Sequence, residues 1–149
     1  MSSWVQVTGS FYIHSWQTGI GDRLKGFMRD NFHRIPKGSE GALDWGVMQS
    51  TEHITGSDWK DGKRTEIYGC GQLHIFGSLR DMTTNTFEKG LLDFIKTLQK
   101  AFPVRAGQVI VDGYTSGRKI YWLEEDWRNP KIHIVDISMD IVDISMDVE

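Results

Sequence analysis

TEIYGCGQLHIFGSL, residues 65–79, alternates for most of its length. Ile67, Leu73, Ile75 and Leu79 fall on one side, and Tyr68, Cys70, Gln72, His74 and Phe76 on the other. That is the period-two signature of a β-strand with one apolar face. Gly69, Gly71 and Gly77 share the apolar side, where a missing side chain admits a closely packed helix or a bulge. The stretch therefore predicts a long central strand.

The flanking segments build outward from it. Downstream, Phe87, Leu91, Phe94 or Ile95, Leu98 and Phe102 recur at helical spacing over about Thr86 to Ala101, and Pro103 ends the pattern. Gln108 to Tyr114 and Arg118 to Glu124 then flank Thr115-Ser116-Gly117, the layout of a hairpin with a Gly-containing turn. Upstream, Trp4 to Trp16 alternates, with Val5, Val7, Phe11 and Ile13 opposite Trp4, Gln6, Thr8, Tyr12 and His14. Thr18 is placed to cap a second helix carrying Ile20, Leu24, Phe27 or Met28, and Phe32, although Gly19, Gly21 and Gly26 weaken it. Residues 37–41 read as a tight turn into a strand from Ala42 to about Glu52. GSDWKDGKR, residues 56–64, reads as an exposed hairpin loop, expected to be the most mobile internal segment.

Strand, helix, strand, strand, helix, strand is the order of an α+β, ferredoxin-like two-layer sandwich: an antiparallel sheet with two helices on one face, here with an extra C-terminal strand. In that topology the first and third strands are central. Their second faces, carrying Tyr12, His14, Tyr68, His74 and Phe76, are expected to be open. One domain over residues 1–128 is expected, followed by a tail, 129–149, in which IVDISMD at 134–140 is repeated unchanged at 141–147. Two copies are too few for a solenoid. Either a duplication leaves a frayed acidic end, or one copy pairs as an edge strand and the other is surplus.

With 149 residues, 39% hydrophobic and 25% charged, the chain is long enough to bury a core without staples. A formal charge of −3 gives no broad attraction to phosphate backbones. The single cysteine, Cys70, cannot build a disulfide framework, and MSSWVQVTGS lacks the pattern of a secretory signal, so a soluble cytoplasmic protein is expected. No apolar run approaches a membrane span.

Chemistry-bearing patterns are sparse. The five histidines form no HExxH, and Cys-x-x-Cys is absent, so no metal or other cofactor is expected. His14 and His74 lie on the two predicted central strands, and a meeting of the two on the open face is one reading; ordinary polar strand positions are the other. Cys70 beside His74 lacks a third orienting group for nucleophilic catalysis. Lys37 and the turn at Gly38-Ser39-Glu40-Gly41 suggest an anion-binding nest, opposed by Glu40; turn formation is the simpler role. Arg80 and Asp81 close the long strand as an adjacent ion pair. Of six tryptophans, Trp59 falls in the polar loop and is expected to be exposed, whereas most of the others are expected to pack in the core or at its rim.

Three short motifs, W-V-x-V-x-G (Trp4 to Gly9), P-x-G-S-E-G (Pro36 to Gly41) and F-G-x-L-R-D (Phe76 to Asp81), followed by an amphipathic helix and a final hairpin, resemble small proteins of bacteriophages and prophages. The resemblance spans roughly Trp4 to Glu124, and the duplicated tail is foreign to it. That group carries no assigned activity, so the resemblance implies an accessory protein made inside an infected bacterium and transfers no mechanism. The expected function is non-enzymatic binding of a host protein or defence component. The surfaces on offer are the aromatic sheet face with Tyr12, His14, Tyr68, His74 and Phe76, the loop with Trp59, or a homodimer surface. A nucleotide-signal sponge using Lys37, Arg80 and aromatic rings is a variant of it. The competing expectation is single-stranded nucleic-acid binding, with Tyr12, Tyr68 and Phe76 as stacking rings; a small enzyme built on His14, His74 or Cys70 comes last.

Overall fold

The computed structural model describes residues 3–15, 19–50, 53–55, 66–124 and 131–137. Seven strands form one antiparallel sheet: β1 (Trp4–Ser15), β2 (Asp44–Gln49), β3 (His53–Thr55), β4 (Glu66–Arg80), β5 (Val104–Gly113), β6 (Gly117–Leu123) and β7 (Ile132–Ile137). Their order is β2-β4-β1-β5-β6-β7, and β3 pairs with the start of β4. Two helices, α1 (Ile20–Asn31) and α2 (Thr84–Ala101), complete the α+β fold.

Register fixes the faces. Val5, Val7, Gly9, Phe11 and Ile13 of β1 stand opposite Leu79, Gly77, Ile75, Leu73 and Gly71 of β4. Val111 and Val109 of β5 lie beside Val7 and Gly9, and Tyr121 of β6 lies beside Val109. These odd-numbered residues form the core with Ile20, Leu24 and Met28 of α1 and Phe87, Leu91, Phe94 and Leu98 of α2. Both helices therefore cover the same side of the sheet. Helix α1 lies directly on Gly71: a Cβ there would lie 2.8 Å from Leu24 Cδ1 and 3.1 Å from Ile20 Cγ1.

Helix α2 starts where its sequence directs. The Thr83 hydroxyl accepts the Thr86 N–H at 3.2 Å, supplying one of the orphan N–H groups of the first turn with an acceptor. Thr84, fully buried, donates its hydroxyl to the Gly117 carbonyl at 3.0 Å, which ties the β5–β6 turn to the helix start. One turn further on, Glu88 accepts from the Tyr121 hydroxyl at 2.9 Å and from Lys119 Nζ at 3.3 Å, linking α2 to β6. Burial, reinforced by the Glu88 carboxylate, holds the Tyr121 phenol protonated well above its ordinary titration range.

Three expectations change. The sheet, taken whole, is not the expected ferredoxin-like sandwich with one added strand: its strand number and six-lane order differ, because β6 and β7 both extend it beyond β5 and β3 adds a short ladder. The sheet also crosses the expected boundary at residue 128, since Ile134–Ile137 of the first IVDISMD copy belong to β7. Finally, the N-cap of α1 is Gly19, at φ 73°, a left-handed conformation that suits glycine; Thr18 lies outside the described residues.

Candidate functional site

The even-numbered residues of β1, and those of β4 from Cys70 onward, point away from the helices, and Trp4, Tyr12 and Phe76 are among them. Trp4, Tyr12, Phe76, Met48 and Trp122 are all exposed on this second face, from 38% for Trp122 to 60% for Met48, and Val135 of β7 joins them at 44%. A protein surface normally scatters such residues singly. Here strand alternation gathers them on one side of one sheet.

A groove of about 500 Å³ runs across β1, β4 and β2 on that side, bordered by Thr8, Ser10, Gly46, Met48, His74 and Phe76. Gly46 stands opposite His74 in the β2–β4 ladder. A Cβ at Gly46 would meet nothing within 4 Å, so neither packing nor clash demands glycine there. His74 is held on both ring nitrogens, by Ser10 Oγ at 3.2 Å from Nδ1 and by Gln72 Oε1 at 3.1 Å from Nε2. The imidazole is thus a fixed ring in a mostly apolar trough, with both of its nitrogens engaged within the protein.

A second depression of about 350 Å³ lies at the other end of the face, between Trp4, Gln6, Asp112 and Tyr114. Its wall is laced together by the three sequence motifs. Trp4 pairs with Arg80 across the β1–β4 ladder, Ser39 donates its N–H to the Arg80 carbonyl at 3.0 Å, and Glu40 grips the Arg80 guanidinium at 2.6 Å. A Cβ at Gly38 would strike the Arg80 backbone at 2.5 Å. Residues of the three short sequence motifs therefore meet at one corner of the sheet. Ser39 also gives its hydroxyl to Asp81, so these donors of the expected anion nest are spent within the protein; Lys37 is exposed in the same loop.

The other expected site residues separate. His14 stands opposite Cys70, and His74 opposite Ser10; four residues of extended strand, about 13 Å, lie between the two histidines. The ladder therefore does not bring the two histidines together, and Cys70 and His74, four residues apart on β4, share a face at the same spacing. Tyr12 and Phe76 are on adjacent strands and both exposed. Only the backbone of Tyr68 is described, opposite His53, and Trp59, with the 56–64 loop, lies outside the described residues. Trp45 packs against the core, whereas Trp4 and Trp122 belong to the open face. Met48 and Gly46 were not anticipated. Their signal was present in Trp45 and Val47, whose apolar alternation puts the intervening residues on the opposite side.

Among the described residues no group of three His, Cys, Asp or Glu side chains is placed to hold a metal ion, and no helix is long and apolar enough to cross a membrane. No protein-family model, curated protein or solved structure matches the chain.

Proposed function

We propose that the protein is a non-enzymatic binding protein that engages a partner protein through the helix-free face of its sheet. The wider reading is a bacteriophage or prophage accessory factor acting in the bacterial cytoplasm on a host protein or defence component. The observation that carries it is the collection of Trp4, Tyr12, Met48, Phe76 and Trp122 on one uncovered face. Large rings and thioethers contribute contact area at little entropic cost and dominate protein interfaces. The groove at Gly46 and His74 supplies a mostly apolar recess walled by an imidazole ring that Ser10 and Gln72 hold in place, where a partner side chain is buried against a fixed shape.

The placement of β4 between β1 and β2 supports a finer architectural reading: a ferredoxin-like core of β1, α1, β2, β4, α2 and β5, extended on one side by β6 and β7.

Single-stranded nucleic acid is the weaker occupant. Arg80 and Arg118 lie on this face, but each is paired with a carboxylate, Glu40 and Asp112 respectively, and the net charge is −3. Tyr12 and Phe76 sit at β1–β4 ladder positions four residues apart, about 13 Å along the strands, too far to stack neighbouring bases. A nucleotide sponge relying on Lys37 and Arg80 faces the same loss of the Arg80 charge to Glu40.

The test is retention of bacterial proteins on the tagged, purified protein after nuclease treatment, comparing the wild type with Phe76→Asp, Tyr12→Asp and the helix-side control Lys96→Ala. A protein held by the wild type and the control but released by both face variants supports the proposal. A partner indifferent to both removes the face from consideration, and retained material that nuclease abolishes transfers the face to nucleic acid.

A further inference from the structure

The outermost lane of the sheet has an unusual relation to the sequence that follows it. β7 pairs with β6 so that Ile134, Val135, Asp136 and Ile137 stand opposite Tyr121, Ile120, Lys119 and Arg118. These four residues open the first IVDISMD copy, and the same four, Ile141, Val142, Asp143 and Ile144, open the second. Sliding the chain by seven residues would bring each of Arg118, Lys119, Ile120 and Tyr121 opposite the residue type it meets now, including an aspartate opposite Lys119. Slips in a half-buried strand are normally forbidden because they carry apolar side chains to the wrong face. An unchanged repeat removes that penalty for this one displacement.

We propose that the outer edge of β6 is a strand-acceptor lane with two alternative occupants from the same chain, residues 134–137 and residues 141–144. The shift lengthens the connection after Leu123 from residues 124–131 to residues 124–138, and closure entropy rises only slowly with loop length. What separates the two registers is the pair of residues just before the repeat. Ile132 packs against the core. His133 stacks on Trp122 with ring centres 4.4 Å apart and holds Glu124 at 3.0 Å. In the shifted register Met139 and Asp140 take these positions. Methionine is an apolar replacement for Ile132, but Asp140 cannot stack on Trp122 and brings a second carboxylate to Glu124. His133 is therefore the positioning residue that locks the register, and the second copy is the reserve strand for the lane.

The pairing is tested by proline substitution in each copy of the full chain: Val135→Pro with Asp136→Pro in the first, Val142→Pro with Asp143→Pro in the second. One of any two consecutive strand N–H groups faces the neighbouring strand, so each double change removes a ladder donor. The readout is amide exchange at Arg118–Leu123, with β4 amides reporting that the domain stays folded. The second pair alone should leave β6 protection unchanged. The first pair alone should reduce it by less than about tenfold, and all four changes by about a hundredfold or more. A first-pair loss as large as that of all four overturns the proposal, and protection that returns only as protein concentration rises overturns the intramolecular assignment. Should the prolines unfold the domain, a cross-link decides. In a Cys70→Ser background, Ile120→Cys and Val142→Cys should form a disulfide, severalfold faster with His133→Ala. No disulfide, or a rate indifferent to His133, defeats the two-register lane.

Discussion

Gly46 faces His74 across the β2–β4 ladder, and the side chain it lacks is what leaves the groove between Phe76 and Met48 open. Glycine in a strand interior weakens the strand, and one that neither packing nor clash demands marks a place where something else approaches. Gly46→Leu should fold normally, with stability unchanged or raised by up to about 1 kcal/mol. If the groove takes a partner side chain, affinity for that partner should fall by tenfold or more, about 1.4 kcal/mol. Thermal unfolding together with a binding titration separates the two effects; unaltered affinity would move the contact off the groove.

Gly71 lacks a side chain for the opposite reason. Its missing Cβ lets Leu24 and Ile20 of α1 settle onto β4. Gly71→Ala should force α1 outward and cost about 1–3 kcal/mol, lowering Tm by roughly 3–10 °C. Gly46→Ala, the same chemical change in open space, is the control, and equal Tm values for the two variants would refute the close-packing account.

Tyr121 gives the fold an alkaline limit. Its phenol stays protonated in the folded chain well above the ordinary value, because it is buried against Glu88, whereas the unfolded chain releases that proton near pH 10. Above that pH the unfolded state binds fewer protons than the folded one, so this contribution to stability is full below about pH 10 and declines as pH rises. Chemical denaturation at pH 8 and at pH 11 should show a smaller alkaline loss in Tyr121→Phe than in the wild type. At pH 8 the variant should be less stable by about 1–3 kcal/mol, since the hydrogen bond to an acidic side chain is gone.

Alternation was enough to read the two sides of the sheet. Every residue assigned to the apolar side of β1, and Leu73, Ile75 and Leu79 of β4, is buried, and the stripe Phe87, Leu91, Phe94 and Leu98 of α2 faces them. Period, however, says which face a residue is on and not which residue stands opposite, and so it leaves a meeting of His14 with His74 open, whereas the ladder puts Cys70 opposite His14. Register depends on turns and on contacts remote in sequence, which no local window contains. β7 was hard to read for a related reason: IVDI is a strand-like run inside a repeat whose acidic residues equally fit a loose end. The groove escaped because it is made by an absence, at Gly46, whose meaning depends on Met48, Phe76 and His74 arriving from two strands.

The central position of β1 also governs when the molecule can exist during its own synthesis. Its two neighbours are β4 and β5, which end at Arg80 and Gly113, so the first strand made is among the last to be completed on both edges. Until residue 80 has left the ribosome, Val5, Val7, Phe11 and Ile13 have no finished ladder to join, the second ladder waits for residue 113, and both pairings are distant in sequence and slow to close. The nascent chain must carry β1 as an unpaired apolar strand until β4 emerges, which makes β1 a candidate for chaperone capture during synthesis.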